Sequence, residues 1–403
     1  MSRSSAAYEA APPLSATHFI DNRIHASEAL WAEESEKILG RTWKFVCHES
    51  EIPELYDFRT TKIAGKAIIV MRGGDGTVRS FFNACPHRGS VLARLPRGNA
   101  RQLTCMFHLW SFDDRGRCIT VTRPEGYARC GIEKSDLGLR EVRTEAVMGL
   151  VFANLDDGAP ALRSFLGNAL ENAQPVLEAE DFEVFHYHSA VIEANWKLWH
   201  ETNVDLYHEW MHSVNRRTGI RADGYFDRRF LDYGNGHLSM EPFRVKYENY
   251  PGWTAREDHT LPGLTPGEFR FIDLFPNTTI ILRATNIRID TSTPISPTQT
   301  RIEWRGLAPK SDSPEVRALR VQHHNQLWGP FGRNLAEDII AVEGVQRSIM
   351  SETSLYSLHA REEGGKGQDD GGSRAYYAEW SRYMGRRASD PFGSRERLDN
   401  AAE

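Results

Sequence analysis

The sequence predicts an α+β protein of two domains, a small all-β domain ahead of a larger α+β domain. Three observations carry this. The 403 residues exceed what one core usually organises. From 44 to 154, short runs rich in Val, Ile, Thr and Phe alternate with turn signals. Beyond Asp156-Asp157-Gly158-Ala159-Pro160, helical apolar spacing brackets strand-like stretches instead.

In chain order, residues 1–17 hold Arg3, Glu9 and several Ser, Ala and Pro, with no continuous apolar core, so they read as a loose tail rather than a secretory signal. Over 26–43, Leu30, Trp31, Ile38 and Leu39 stand at helical spacing against a Glu/Lys face and predict a helix. Tail and helix make a first segment, 1–43. The all-β domain, 44–155, is punctuated by Gly73-Gly74-Asp75-Gly76, Arg97-Gly98-Asn99 and Asp113-Asp114-Arg115-Gly116, each read as a turn. In the larger domain, 156–403, helices are predicted over 162–177, 196–212, 315–350 and 374–386, with strands over 183–194 and 278–290. The Gly-rich, charged stretch 362–373 reads as a surface loop or linker.

A formal charge of −6, from 49 basic and 55 acidic side chains, provides no field for nucleic acid or an acidic membrane surface. The longest apolar runs, such as Ala67-Ile68-Ile69-Val70-Met71, fall far below the roughly 20 residues of a membrane helix. A cytoplasmic protein without nucleic-acid or membrane partners is expected. Five cysteines, an odd and low count, argue against a disulfide framework and for a reducing compartment. With the fifteen histidines they draw attention to two clusters.

In the β region, Cys85-Pro86-His87-Arg88-Gly89 and Cys105-Met106-Phe107-His108 each offer a thiolate and an imidazole from one hairpin loop. Such a set binds zinc or an iron–sulfur centre, and a closed zinc ribbon is the plainer alternative. The two loops, C-x-H and C-x2-H, resemble those of the Rieske [2Fe–2S] ferredoxin domain. There two thiolates hold one iron and two neutral histidines the other, which raises the reduction potential. The resemblance implies Cys85, His87, Cys105 and His108 as cluster ligands and Trp110 as the aromatic over the cluster. Trp110 equally suits a core position. Cys47, Cys118 and Cys130 lack the spacing and are expected to be buried thiols.

The stretch 195–212 is dense in ionisable and amide side chains. If it is helical, Asp205, His208 and His212 stand at i, i+3 and i+7 on one face, and histidines at i and i+4 bind one metal ion from a single helix. The same spacing also arises on solvated faces. Asn195-Trp196-Lys197, followed by Glu201, Asp205, His208 and His212, resembles the mononuclear iron site of the Rieske non-haem iron ring-hydroxylating oxygenases, large subunit. With the first cluster, the likeness runs from about residue 18 to 386.

The resemblance implies His208 and His212 as two ligands of a facial triad on Fe(II), with open positions for dioxygen and substrate. It implies Asp205 as a non-ligand bridging to a cluster histidine, His108, of the neighbouring subunit, and Asn203 as an asparagine near the iron. A helix-face amide is the alternative for Asn203. The carboxylate ligand is expected in the late helix after Gly329-Pro330-Phe331-Gly332: Asp338 first, with Glu337 and Glu343 as fallbacks, each otherwise an ordinary solvated charge. Phe275-Pro276-Asn277 fits the family's central sheet and equally a simple turn. One departure is the three residues between the histidines, where many aromatic-ring dioxygenases have four or five. It bears on the pocket rather than the metal.

The implied protein is a terminal oxygenase component with a [2Fe–2S] Rieske cluster and mononuclear Fe(II). Its catalytic domain is an antiparallel sheet covered by helices. Electrons come from NAD(P)H through a reductase and, in some systems, a ferredoxin. Head-to-tail assembly as a homotrimer or a trimer of heterodimers with a small beta subunit passes each electron from one subunit's cluster to the next subunit's iron. Segments 49–53 and 56–61 look closest to large subunits acting on small anionic aromatics of the benzoate, terephthalate or cumate type, with Arg216, Arg217 or Arg283 to pair the acid group. Two alternatives keep the chemistry: a methanesulfonate-type monooxygenase, to which Leu198-Trp199-His200-Glu201-Thr202-Asn203 and the short histidine spacing are similar, and an N- or O-demethylase. A zinc-stabilised, non-enzymatic protein is the alternative from another class.

Overall fold

The computed structural model describes residues 10–393 except 214–216, 218–219, 222–223, 225–226, 248–256, 330–331 and 333. Two compact units emerge, one spanning Leu39–Leu162 and one made from the rest of the described chain.

In the smaller unit a seven-stranded antiparallel sheet runs in the spatial order Lys44–His48, Leu150–Asn154, Glu141–Val147, Val78–Phe82, Lys66–Arg72, Asp57–Ile63 and Arg97–Asn99. A three-stranded sheet, Gln102–Thr104, Ser111–Asp113 and Cys118–Thr120, accompanies it. The run Ala67 to Met71 is apolar throughout because its strand buries both faces. Ile69 and Met71 join one core with Phe81 and Phe112, and Ile68 and Val70 join another with Val46 and Val151. The signals at 73–76 and 113–116 do make hairpin turns, with Gly76 and Gly116 at φ of 79° and 75°. Arg97-Gly98-Asn99 is instead an edge strand paired to Asp57–Ile63. Glycine is needed there for space: a Cβ at Gly98 would stand 2.8 Å from the Phe58 ring. Cys47 and Cys118 are buried, but Cys130 is exposed, since 128–136 runs over the unit's surface.

The larger unit is built on a second seven-stranded antiparallel sheet: Phe182–Ile192, Gln299–Pro309, Asn286–Ser296, Thr278–Arg283, Glu268–Leu274, Leu238–Arg244 and Phe230–Asp232. Helices Trp196–Val204, Pro314–Trp328, Leu335–Met350 and Gly371–Met384 accompany it. Several expected elements are subdivided. The helix over 162–177 is two short pieces, Leu162–Leu166 and Gln174–Leu177, and that over 315–350 is interrupted between Trp328 and Leu335. The strand over 278–290 is a hairpin turning at Ala284, a residue at φ 48° that gives no turn signal. Of the stretch 362–373, residues 362–370 form a loop and 371–373 open the helix Gly371–Met384; Asp369 ties the loop, its carboxylate accepting from the N–H groups of Glu363 (2.7 Å), Gly365 (2.9 Å) and Gly371 (2.7 Å).

Of the N-terminal segment, the described residues up to Ile38 belong to this larger unit, and the smaller one begins at Leu39. Phe19–Asp21 pairs with Tyr356–Leu358, and helix Glu28–Glu34 brings a fully buried carboxylate, Glu34, against Trp196 (3.0 Å), Trp380 (2.7 Å) and the Lys197 ammonium (2.8 Å). Asn195 caps the helix Trp196–Val204 by accepting from the Lys197 N–H at 3.0 Å. The Asn-Trp-Lys string is therefore a cap plus two donors to one buried carboxylate. Breaking that ion pair would strand a charge in the core.

Candidate active site

The first donor set sits on two loops of like construction. The Cys85 N–H donates to the Ser90 carbonyl and the Gly89 N–H to that of Cys85, both at 2.8 Å. In the second loop the Cys105 N–H donates to the Trp110 carbonyl at 2.8 Å and the Leu109 N–H to that of Cys105 at 2.9 Å. Gly89 and Leu109, in equivalent places, take φ of 72° and 60°. The backbone alone thus brings both thiols inward, buried at 3% and 1% exposure. Burial pushes Cys85 up. It acts on Cys105 too, but the N–H groups of Phe107 and His108 with the Cys85 and Ser90 side chains outweigh it and hold that thiol down.

The two imidazoles meet at 4.6 Å between ring centroids. Trp110 is buried and stacks on His87 at 4.6 Å and 7°, so it is at once a core residue and a cover for that ring. Tyr127 hydrogen-bonds His87 Nε2 at 3.1 Å, and His108 Nδ1 is buried without a hydrogen-bond partner. Two buried thiols and two imidazoles with inward nitrogens fit a cluster of mixed sulfur and nitrogen ligation. Met106, Phe107 and Leu109 lie exposed beside it.

The second donor set does not sit on one helix face. The helix ends at Val204 because Asp205 turns extended, φ −96° and ψ 101°, and its Oδ1 accepts from the Tyr207 N–H at 2.8 Å. His208 then lies in a short 3-10 turn, Tyr207–Met211, and His212 closes it. Helix Leu335–Met350 brings Asp338 from afar. Its Oδ1 stands 3.6 Å from His208 Nε2 and 3.5 Å from His212 Nε2. One ligand atom from each of the three lies within 4.8 Å of the others.

The opposite ring nitrogens are held: His208 Nδ1 by the Asp205 carbonyl and His212 Nδ1 by Glu337 at 3.0 Å. With Nδ1–H donating, both Nε2 lone pairs face Asp338, whose buried Oδ1 has no hydrogen-bond partner. Burial pushes the Asp338 carboxyl up, against the pull of His208 and His212. Two neutral imidazoles and one carboxylate oxygen are the donor chemistry of a facial triad, and they fit a ferrous ion. The fallbacks stand elsewhere. Glu337 supports His212 and Ser213, whose hydrogen bonds outweigh burial and keep its carboxyl low, and Glu343 accepts from the Glu193 N–H at 3.1 Å.

Asn203 is a buried network member and no surface amide. It accepts from Arg288 at 3.2 Å and donates to Asp290 at 3.4 Å, while Arg288 and Trp199 also bind Asp290, at 2.9 and 3.3 Å. Sequence reasoning missed Arg288 and Asp290. Their signal was there, two charges alternating with Ile287 and Ile289 in one strand. Of the arginine candidates, Arg216 lies outside the described residues and Arg217 is exposed. Arg283 is buried and lines a small cavity with Arg228, Phe243, Phe269, Leu206 and Glu209, next to His208 in sequence. Arg228, also missed, lies 3.7 Å from the centre of the Phe243 ring.

Residues 179–386 match the family of the ring hydroxylating alpha subunit (catalytic domain), and residues 42–132 match the Rieske [2Fe-2S] domain. The 2-aminobenzenesulfonate 2,3-dioxygenase subunit alpha of Alcaligenes sp is 46% identical over 96% of this chain and 99% of its own. The methanesulfonate monooxygenase hydroxylase subunit alpha of Methylosulfonomonas methylovora is 43% identical over 95% of each chain. The anthranilate 1,2-dioxygenase large subunit of Burkholderia cepacia is 28% identical over 86% of this chain and 88% of its own.

Proposed function

Because this chain belongs to the ring-hydroxylating alpha subunits and is the terminal oxygenase component of a Rieske system, we propose that it oxygenates a small organic sulfonate rather than a benzoate, terephthalate or cumate. One observation carries the choice. The 46% and 43% matches are to enzymes named for sulfonates, whereas the match to an enzyme named for anthranilate, the carboxylate counterpart of 2-aminobenzenesulfonate, is 28%. Membership removes the zinc-held scaffold as a reading.

The guanidinium groups of Arg228 and Arg283 offer planar, permanently charged donors to an anionic group, sulfonate or carboxylate alike, so they support an anionic substrate while the relatives carry the choice between the two. Phe243 and Phe269, with ring centroids 4.9 Å apart, suit an apolar body.

In this reading Cys85 and Cys105 hold one iron of the cluster and His87 and His108 the other, while His208, His212 and Asp338 hold the mononuclear iron. When loaded, the two centres supply single-electron transfer and dioxygen activation. The Asp205 carbonyl and Glu337 keep the histidine Nε2 atoms aimed inward, and burial of Asp338 keeps bulk water from the carboxylate. The Asp205 carboxylate, with Oδ1 tied to Tyr207, is assigned to accept a hydrogen bond from the partner subunit's His108. Asn203 positions the helix end through Arg288 and Asp290. Members of the family work with a reductase or ferredoxin, with NAD(P)H as the electron source, and assemble as α3 or α3β3 oligomers. Which of these this chain uses, and a small beta subunit in particular, belongs to the proposal. Among the described residues no helix is long and apolar enough to cross a membrane.

Oxygen uptake and NADH oxidation, measured with a reductase, test the substrate class. Tightly coupled turnover is expected with methanesulfonate or 2-aminobenzenesulfonate, and faster coupled turnover of benzoate overturns it. Asp205→Ala should retain both metals and lose turnover; full activity in that variant removes the bridge.

A further inference from the structure

The larger unit carries a second set of imidazoles that the chemistry above leaves unused. His186 and His188 lie two residues apart on the edge strand Phe182–Ile192 and so share one face of the sheet. Helix Pro314–Trp328 adds His324. One ring nitrogen from each lies within 4.8 Å of the others, and the ring centroids of His186 stand 4.4 Å from His324 and 5.3 Å from His188.

Ordinary core packing does not account for this. His324 is fully buried, yet neither of its nitrogens has a hydrogen-bond partner, and Nδ1 of His186 and of His188 is also buried and unpartnered. Buried polar atoms are normally satisfied, so three rings that each carry a buried, unsatisfied nitrogen and bring one nitrogen apiece within 4.8 Å of the others call for a ligand. The neighbouring strand makes room for the ring: a Cβ at Gly306 would stand 2.8 Å from His324 Cε1. Trp304 stacks on His188 at 4.6 Å and fixes its plane. Burial, with the neighbouring imidazoles and Arg288 adding to it, lowers His188 to about 4 and His324 further, so the rings carry lone pairs at neutral pH. Arg288, the nearby cation, is paired to Asp290 at 2.9 Å, which offsets its repulsion of an incoming ion.

We propose that His186, His188 and His324 form a second metal site, a three-imidazole site for one zinc ion with a fourth position open to water or a small anion. All-nitrogen, neutral donors select a borderline transition ion over magnesium or calcium, and the missing carboxylate distinguishes the site from the His208, His212 and Asp338 trio. The ion ties the sheet's edge strand to helix Pro314–Trp328.

The test is equilibrium dialysis of the holoenzyme, with its ferrous site kept saturated by Fe(II), against micromolar Zn2+, followed by elemental analysis and zinc-edge X-ray absorption. One zinc per chain with three imidazole ligands is expected. His188→Gln, at a half-buried position, should hold at least tenfold less zinc with its iron content unchanged, and added zinc should raise the melting temperature of the wild type but not of this variant. Asp338→Ala should bind zinc at the second site as the wild type does. The absence of bound zinc in the wild type, equal zinc in His188→Gln, or loss of zinc in Asp338→Ala alone would each overturn the proposal. Should His324→Ala fail to fold, His186→Gln gives the same reading.

Discussion

In the smaller unit four donors come from two matched loops closed by backbone hydrogen bonds and flanked by exposed Met106, Phe107 and Leu109. In the larger unit three donors come from distant segments, fixed by side-chain and carbonyl partners around a buried carboxylate. On the proposed assignment, the difference follows from what each centre must do. An electron carrier has to approach a partner's surface, so its ligands are held by a backbone that tolerates exposure. A site that handles dioxygen has to exclude water, so its ligands depend on buried neighbours, each of which becomes a point of failure.

Four substitutions break or sharpen this contrast, starting with the most severe. Asp338→Ala should abolish turnover and remove one iron of three while the visible spectrum of the cluster persists; retained iron would show that the trio is not the site. Trp110→Ala removes a buried stacking partner of His87 and should lower the stability of the smaller unit by about 3–5 kcal/mol, seen as bleaching of the cluster at lower denaturant. Glu337→Gln should weaken mononuclear iron binding by roughly 10–100-fold in a ferrous titration. Met106→Ala, in a cluster loop, should leave cluster content unchanged, and equal losses in these last two variants would erase the distinction drawn above.

The smallest effect concerns pH. Burial raises the Glu201 carboxyl from 4.5 to about 7, with Tyr377 and Lys197 pulling the other way. The folded state therefore keeps a proton that the unfolded chain releases, and stability should fall as pH rises from about 4.5 to 7. Glu201→Gln should flatten that fall between urea midpoints measured at about pH 5 and pH 7.5. An unchanged slope would mean that the helix leading to His208 does not depend on this group.

The two centres also differ in how far the chain discloses them. The cluster loops are contiguous strings, so the sequence alone could single out the four residues whose side chains the fold brings to two matched loops. The histidine pair was equally visible, but its geometry was not, because an Asx turn at Asp205 replaces the continuous helix that apolar spacing suggests. Asp338 was reached through family likeness, since nothing local distinguishes it from Glu337. Glu34 looked like one more surface charge in a Glu-rich helix, and only the fold brings Trp196, Lys197 and Trp380 to it. Gly98 misled because the demand it meets, room for the Phe58 ring, arises from a strand far away in sequence. The substrate class was no easier to read: the relatives fit the methanesulfonate-type alternative better than the benzoate-like expectation. Arg228 gains its meaning from Phe243 and Arg283 across the sheet and from no motif of its own.

The most direct measurement is kcat/KM for one pair of substrates that differ only in the acid group, 2-aminobenzenesulfonate and 2-aminobenzoate, in the wild type and in Arg228→Gln and Arg283→Gln. A sulfonate preference of at least about tenfold is expected in the wild type, and each lost guanidinium removes a charge-assisted contact of about 1.5–3 kcal/mol from either anion, so KM should rise at least about tenfold for both substrates in the variants. A wild-type preference for the carboxylate, or KM values that neither substitution moves, would contradict the account.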